Sequence, residues 1–273
     1  MKTKALLIAA ATLAVSVISS QAQVYSQNVV GYINKPIPAN LFTMCANQLV
    51  TGTDTAKTNC NIQAVLGTNG WYSTGDGSAN TTVYVWDVPS QNWLNYYYYT
   101  GDDAANNLGN NYGDGWYGGD GSFSTATLPP GTGYFIKDYS GLTKTNVLVG
   151  TVVTGTNVYT LHQGYTTFSV VQPISTNLES SVVGLTGVSD GSGINNTAYY
   201  HWNGVNNWDT FYYYTGTDAD NNLGVNYGDG WYSGDGSLFL ATSPSYWPKV
   251  GEGYFIHQIV AQDLKYTNSF SIQ

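Results

Sequence analysis

The segment WLNYYYYTGDDAANNLGNNYGDGWYGGDG, Trp93–Gly121, returns later in the chain as WDTFYYYTGTDADNNLGVNYGDGWYSGDG, Trp208–Gly236. Roughly three quarters of the aligned positions are identical without a gap, which chance does not produce. Both copies join an aromatic run to a stretch rich in glycine and turn residues. A duplicated strand-and-turn segment of this kind indicates a chain built from two related β units.

The similarity extends beyond this segment on both sides. TVYVWD (Thr82–Asp87) matches AYYHWN (Ala198–Asn203), and PGTGYFIK (Pro130–Lys137) matches VGEGYFIH (Val250–His257). The period is about 115 to 120 residues, which is too long for a solenoid repeat and suits two tandem domains. We therefore expect equivalent residues of the two copies, such as the two tryptophans that open the duplicated segment, to occupy equivalent environments.

Composition and turn signals predict the fold class. Aromatic residues make up 15% of the chain and charged residues 9%, with 32 glycines and 24 tyrosines. Short β-branched or aromatic runs separated by Asp-Gly turns favour antiparallel hairpins. We predict an all-β protein of two tandem β-sandwich or barrel-like units. No stretch has a convincing helical period, although 61–67 and 177–184 each fit one short helical turn.

The N-terminus predicts export. Lys2 and Lys4 precede an apolar run, Ala5–Ile18, and Ser20-Gln21-Ala22 then places small residues where a signal peptidase cleaves. The apolar run is shorter than the ~20 residues that span a bilayer. We therefore expect a cleaved signal peptide and a mature chain without a transmembrane segment, secreted to the periplasm, the cell surface or the extracellular space.

The unit boundary is placed in the polar stretch that follows GYFIKD in the first copy. Each copy then opens with a strand that contains a glycine, NVVGYIN (Asn28–Asn34) in the first and VLVGTVV (Val147–Val153) in the second. The predicted segments are a signal peptide at 1–22, a first unit at 23–146 and a second unit at 147–273.

The charge balance excludes one class of partner. The formal net charge is −9, and it becomes −11 when Lys2 and Lys4 leave with the signal peptide. The chain contains no arginine. Nucleic-acid sites depend on basic patches and on arginine side chains, so we expect no nucleic-acid partner. An acidic surface suits an exposed or cation-binding protein.

Two cysteines, Cys45 and Cys60, predict a disulfide. In an oxidising compartment a close pair of cysteines favours a bridge, which would stabilise the fold by ~3 kcal/mol in the chain-entropy model. The alternative is a pair of buried free thiols. Because the three histidines, His162, His201 and His257, lie far from both cysteines in sequence, a catalytic cysteine is not expected.

The tyrosine run predicts two layers of packing. Because side chains on a strand alternate between faces, Tyr96 and Tyr98 must point one way and Tyr97 and Tyr99 the other. In the second copy, Phe211 and Tyr213 must point to one face of the strand, and Tyr212 and Tyr214 to the other. One pair can enter the core, while the other lies under a loop, against the sister unit or in solvent.

One acidic loop of the second copy is a candidate calcium site. TDADNNLG places oxygen-bearing side chains at alternating positions, like the first ligands of a calcium loop, and further aspartates follow. The candidate ligands are Asp218, Asp220, Asn222, Asp229 and Asp235. In the first copy Ala105 replaces the middle ligand. The alternative is a set of turns whose aspartate side chains bond to their own backbone.

The segment NYGDGWY occurs once in each copy and suggests a sugar site. A ring beside aspartate and asparagine offers a stacking face and polar groups for hydroxyls. The candidate residues are Trp116, Tyr117, Trp231 and Tyr232. Alternatively, these aromatic side chains fold into the core.

Hydrolytic chemistry has a weaker basis. A glycosidase needs two carboxylates in a cleft, and Glu179 and Glu252 are the only glutamates, while the aspartates occur in turn sequences. We therefore expect a protein without enzymatic activity, and a small secreted hydrolase is the remaining alternative.

Three segments carry a resemblance to a known group. The predicted mature chain opens with VYSQNVVGYINKPIPAN (Val24–Asn40), and the copies end in PGTGYFI and GEGYFI. These segments resemble uncharacterised exported β-rich proteins predicted from verrucomicrobial and planctomycete-type bacteria. Copy two keeps the group's glutamate as Glu252, whereas copy one departs from it at Thr132. The resemblance implies export and β architecture and supplies no catalytic residues.

These observations predict a structural or adhesive protein of the cell surface or extracellular matrix. Duplication, low charge and a high content of tyrosine, glycine and asparagine favour this role. The expected partners are glycans, other surface proteins or further copies of the chain. A carbohydrate-binding module is the alternative, and no cofactor is predicted apart from the candidate calcium ion.

Overall fold

The computed structural model describes residues 30–51, 60–180, 183–193, 195–260 and 264–270. For Tyr159 and for 264–270 it describes the backbone only. The predicted signal peptide, 1–22, lies outside these residues, as do the first two residues of NVVGYIN. Within the described ranges, no helix is long and apolar enough to cross a membrane.

The described residues of the first half form eight strands and two short helices. In order they are β1 (Val30–Ile37), β2 (Phe42–Ala46), β3 (Leu49–Val50), α1 (Ile62–Leu66), β4 (Thr82–Asp87), β5 (Asn92–Tyr99), α2 (Gly101–Leu108), β6 (Gly115–Gly118), β7 (Gly133–Lys137) and β8 (Lys144–Val152).

The second half repeats this order with small changes. It contains β9 (Gly155–Leu161), β10 (Gly164–Phe168), β11 (Ala198–Trp202), β12 (Trp208–Tyr214), α3 (Gly216–Leu223), β13 (Gly230–Ser233), two 3₁₀ turns (Leu240–Thr242 and Pro244–Tyr246), β14 (Tyr254–Gln258) and β15 (Leu264–Phe270).

Each half builds one open, five-stranded antiparallel sheet with the same topology. The strand orders are β2-β7-β4-β5-β6 and β10-β14-β11-β12-β13, and they correspond strand for strand. Trp93 lies opposite Trp86 in the first sheet, and Trp208 lies opposite Trp202 in the second. The all-β prediction is therefore confirmed, and the duplicated sequence folds into a duplicated sheet.

The remaining strands form two ribbons and correct the expected boundary. β1 pairs antiparallel with β8 over its whole length, and β3 joins the other edge of β8. β9 pairs with β15 in the same way. The segment Val147–Val153, expected to open the second unit, instead lies mostly within β8 and completes the ribbon that β1 begins. The predicted boundary at 146/147 thus falls inside a strand.

The alternation of the tyrosine run is confirmed in both copies. Tyr96 and Tyr98 pack with Trp116 in the core of the first unit. Tyr97 and Tyr99 point to the opposite face. There they pack under helix α2, beside its buried Ala104. The equivalent residues of the second copy divide in the same way between its core and the underside of α3.

The two five-stranded sheets pack against each other through aromatic rings, and we call this contact the unit interface. The ring of one phenylalanine from each unit contacts two tryptophans of the other unit, with centroid distances between 5.3 and 5.8 Å and steep interplanar angles. The contacts join Phe135 to Trp202 and Trp208, and Phe255 to Trp86 and Trp93. Such edge-to-face pairs add about 0.5–1.5 kcal/mol each beyond burial of area.

Two hydrogen bonds across the unit interface form a reciprocal pair. The indole Nε1 of Trp86 donates to the carbonyl of Tyr165 at 2.8 Å, and that of Trp202 donates to the carbonyl of Phe42 at 3.0 Å. Phe42 and Tyr165 are equivalent, since they pair with Lys137 and His257 in their own sheets. This reciprocity is the property of a twofold contact, here between two halves of one chain.

Two equivalent glycines meet at the centre of the unit interface. A Cβ atom added to Gly253 would lie 2.8 Å from the Cα of Gly133 and 2.4 Å from the carbonyl oxygen of Cys45. Both distances are shorter than a Cβ atom tolerates from a non-bonded backbone atom. The two backbones therefore approach this closely only because neither residue has a side chain.

We expect Gly253→Ala to lower the free energy of unfolding by about 2–3 kcal/mol, because the added methyl group must push the two units apart. Urea denaturation of the purified chain would measure the effect. Gly119→Ala is the matched control, since its Cβ would meet no atom within 4 Å. Equal midpoints for the two variants would contradict the close contact.

Candidate functional site

The predicted sugar-stacking rings are core residues. Trp116, Tyr117, Trp231 and Tyr232 have no exposed surface. The Trp116 indole donates to the carbonyl of Gly67 at 3.0 Å, and the Tyr117 hydroxyl donates to the carbonyl of Gly113 at 2.6 Å. The sugar prediction for these loops is therefore wrong, because strands β6 and β13 turn the rings inward and leave no face for a ligand.

The predicted calcium loop is a helix. Thr215 caps the N-terminus of α3 by accepting a hydrogen bond from the backbone N–H of Asp218, and Gly224 ends the helix in the left-handed conformation. Buried Ala219 attaches the helix to Tyr214 and Tyr232. The calcium prediction required the alternating side chains to converge as they do on a ligand loop. On a helix, residues two positions apart point in different directions, so these side chains do not converge.

The five candidate ligands have separate surroundings. Asp218 accepts from the Ser189 hydroxyl at 2.7 Å, and Asp229 accepts from the backbone N–H of Gly216 at 2.9 Å. Asp235 accepts from two serine hydroxyls within its own turn, Asn222 donates to a carbonyl, and Asp220 is exposed on α3. Among the described residues, no three His, Cys, Asp or Glu side chains form a group that could hold a metal ion, so the calcium prediction is wrong in this geometry.

The two cysteines are free and buried, which corrects the disulfide prediction. Cys45 lies on β2 opposite Tyr134, the register position that Phe168 occupies opposite Tyr254 in the second unit. Cys45 therefore fills a core position as a small apolar side chain. Burial raises the pKa of its thiol to about 12.

At one repeat position the second unit has a half-buried carboxyl where the first unit has an amide. In the first unit, Gln63 accepts from the backbone N–H of Trp116 at 2.9 Å and donates to its carbonyl at 2.8 Å. Glu179 is the equivalent residue, since its Oε1 approaches Gly230 as the Oε1 of Gln63 approaches Gly115. Burial, and then the nearby charge of Asp229, raise the pKa of Glu179 to about 7.

A cavity of about 300 Å³ opens at one end of the unit interface. Apolar side chains form part of its wall, and charged and polar side chains from both units form the rest. The main lining residues are Lys35, Phe42, His201, Trp202, Glu252 and Tyr254. We call this feature the interface cavity.

Glu252 is the centre of the polar group in the interface cavity. Its Oε1 lies 3.0 Å from the Nζ of Lys35, and its Oε2 accepts from the Tyr254 hydroxyl at 2.9 Å. Burial opposes ionisation of Glu252, but Lys35 and Tyr254 outweigh it, so the pKa of the carboxyl is lowered. A carboxylate is therefore held in place from two sides at neutral pH.

His201 lies next to this carboxylate. Its Nε2 is 3.9 Å from Glu252 Oε2, its Nδ1 is 3.5 Å from Asp209 Oδ2, and its ring stacks on that of Tyr254. Burial lowers the pKa of His201, although both carboxylates oppose the shift. The imidazole is therefore neutral at pH 7 and can both donate and accept a hydrogen bond.

Most of these residues belong to no recognisable sequence motif, although the differences between the two copies indicate two of them. His201 corresponds to Val85 and Glu252 to Thr132, so copy two has polar groups where copy one has an apolar or small residue. A comparison of the copies for such differences finds both positions. Lys35 comes from β1 and can be placed beside them only by tertiary structure.

A second surface feature is the outward face of the ribbon formed by β1 and β8, which we call the β1–β8 face. Four large apolar side chains are exposed on it: Val30 by 55%, Tyr32 by 70%, Val147 by 50% and Val149 by 45%. The inward residues of the same strands, such as Ile33 and Leu148, are buried in the core. The face is therefore one side of a sheet without a covering layer among the described residues.

Comparisons with protein-family models, with curated proteins and with solved structures found no match for this chain.

We expect the thiols to be unreactive in the native chain. With its pKa at about 12, Cys45 forms almost no thiolate at pH 8, and both side chains are out of reach of a reagent. A thiol-reactive dye should label neither cysteine in native buffer and both in denaturant without reductant. Mass spectrometry counts the labels. Unlabelled cysteines in the denatured, unreduced chain would instead indicate a disulfide.

We expect Glu179 to make stability fall as pH rises. Its folded pKa is about 7 against an ordinary value of 4.5, so the folded state loses stability between about pH 4.5 and 7, where only the unfolded chain ionises. Because the carboxyl is half-buried and partly screened by solvent, the loss should be about 1–2 kcal/mol.

Denaturation at pH 4.5 and pH 8 tests this expectation. Glu179→Gln should remove the loss, and the reciprocal variant Gln63→Glu should introduce a similar loss in the first unit. A pH profile unchanged by Glu179→Gln would show that this carboxyl is not the cause.

Proposed function

We propose that this chain is a structural or adhesive protein located outside the cytoplasm, and that it associates with further copies of itself through the β1–β8 face. The observation that carries the proposal is the set of four large apolar side chains on one uncovered sheet face. Contiguous exposed apolar surface of this kind marks interaction sites.

Charge favours a second copy as the partner. All outward positions of the ribbon are uncharged: Val30, Tyr32, Asn34, Pro36, Thr145, Val147, Val149 and Thr151. The mature chain has a net charge of −11 if the predicted signal peptide is removed, so most approaches of two copies are repulsive. A neutral face lets two copies meet without bringing like charges together.

Sequence features support the extracytoplasmic location. The N-terminal pattern of lysines, apolar run and small residues is that of a secretory signal, and the resemblance to exported β-rich proteins implies the same compartment. The absence of arginine and the acidic balance agree with a surface protein rather than with a nucleic-acid-binding one.

Carbohydrate binding is the second candidate function, and the interface cavity is the observation that favours it. The cavity combines an apolar wall that includes Trp202 with polar groups at Glu252 and His201. Hydrolysis receives no such support, because Glu179 lies beside Gly230 in the second unit while Glu252 lies beside Lys35 at the unit interface.

We expect the chain without its signal peptide to self-associate, and Val149→Asp to weaken the association at least tenfold, because it places a charge in the centre of the neutral face. Sedimentation over a range of protein concentrations measures the dissociation constant. Val205→Asp is the matched control, since Val205 is similarly exposed, by 62%, on a hairpin loop of the second unit.

A chain that stays monomeric at millimolar concentration would overturn the proposed self-association. Equal weakening by the two aspartate variants would also overturn it, because the effect would then come from overall charge and not from the β1–β8 face.

A further inference from the structure

The two ends of the unit interface differ, although the aromatic contacts in the middle of the interface are reciprocal. At one end, the side chain of Gln91 lies along the edge of β10 and fills the space beside it. It accepts from the backbone N–H of Tyr165 at 2.7 Å and donates to the carbonyl of Tyr165 at 3.0 Å. This end of the interface is closed by the hairpin loop between β4 and β5.

At the other end the equivalent loop leaves the interface cavity open. The loop between β11 and β12 is one residue shorter and contains no glutamine. Asn203 holds it folded on itself, because its Oδ1 accepts hydrogen bonds from three backbone N–H groups of the loop. No side chain of this loop therefore reaches the edge of β2 at Phe42 as Gln91 reaches Tyr165.

The polar differences between the copies occur at the same end. His201 replaces Val85, and Glu252 replaces Thr132, and both replacements line the interface cavity. The shorter loop, the imidazole of His201 and the carboxylate of Glu252 are three separate differences from the first unit. Their convergence on one cavity is the property of a binding site, whereas packing alone requires none of them.

The charges around the cavity determine what it can bind. Lys35 and Lys249 are balanced by Glu252 and Asp209, and His201 is neutral at pH 7. Among the residues that line the cavity, a strongly anionic or cationic ligand would find no unpaired counter-charge, while Lys137 lies outside this lining with its Nζ 4.8 Å from the centroid of the Phe42 ring. The remaining chemistry is a set of hydrogen-bonding atoms beside an apolar wall formed by Phe42, Trp202 and two prolines.

Resting on carbohydrate binding as the second candidate function, we propose that the interface cavity binds one neutral sugar ring, with His201 and Glu252 bonding to its hydroxyl groups and Phe42 and Trp202 contacting its apolar face. Sugars combine an apolar ring face with many hydroxyls, which matches this wall and this polar group. The cavity volume of about 300 Å³ is at the lower end of the range for small-molecule sites, about 300–1,000 Å³, and suits one ring rather than an oligosaccharide.

This site does not depend on self-association. The residues proposed to bind the ring line the cavity, whereas the proposed self-contact uses the outward side chains of β1 and β8, and of these outward residues only Pro36 also lines the cavity. A chain that fails to bind sugars can still self-associate, and a monomeric chain can still bind sugars, so the two proposals fail separately.

The test is a titration of the chain without its signal peptide with glucose, galactose, mannose and N-acetylglucosamine, followed by tryptophan fluorescence and by NMR of the histidine and tryptophan side chains. At least one of the sugars should bind and perturb His201 and Trp202. His201→Val should weaken binding at least tenfold. It introduces the residue found at the equivalent position of the first unit, so the sheet accommodates it.

Gln91→Ala at the closed end of the unit interface is the control and should leave the affinity unchanged. Thermal melting of each variant identifies any that fails to fold, and Glu252→Thr, again the residue of the first unit, then provides a second variant of the site. Three results would overturn the proposal: no perturbation by any of the four sugars, equal affinity of His201→Val and the unsubstituted chain, or stronger binding of inorganic phosphate or glucuronate than of the neutral sugars.

Discussion

The contact between Gly133 and Gly253 is the constraint on which the rest of the structure depends. It brings the first residue of β7 into backbone contact with the residue that directly precedes β14, and these are the second strands of the two five-stranded sheets. At this separation Phe135 reaches the tryptophans of the second unit and Phe255 those of the first. A larger residue at either glycine would separate the sheets and open the aromatic cluster to water. The absence of a side chain at these two positions therefore allows the nine large side chains of the cluster to pack.

The close contact also explains why the two sheets pack face to face. The exposed side of an isolated five-stranded sheet would carry phenylalanine, tyrosine and tryptophan side chains, which is a large apolar surface for a single domain to leave in solvent. Packing the two sheets face to face buries both surfaces at once. The reciprocal hydrogen bonds from Trp86 and Trp202 then fix the relative position of the sheets, because each indole N–H has its acceptor in the other unit.

The duplication gives this protein an internal comparison. Positions that agree between the copies serve the fold, such as the threonines that cap α2 and α3 and the tyrosines beneath those helices. Positions that differ show where the chemistry of the two copies diverges. The second unit has the titrating carboxyl of Glu179 where the first unit has the neutral amide of Gln63. His201 and Glu252 make the cavity at one end of the unit interface polar. Phe168 for Cys45 is a difference of volume in the core and carries no chemistry.

The sequence by itself determined the duplication, the all-β class and the alternation of the tyrosine run, because each follows from local rules: identity at a fixed period, turn residues between short aromatic runs, and opposite faces for neighbouring residues on a strand. It could not decide what covers each face. Trp116 and Trp231 have the same local sequence whether they lie in the core or in solvent, and the aspartates around Asp220 follow a ligand pattern on a loop but not on a helix. The pairing of β1 with β8, the meeting of the two glycines and the approach of Lys35 to Glu252 join residues more than a hundred positions apart. Only the tertiary structure decided these, since contacts at that distance depend on how whole sheets pack and not on the residues beside each one.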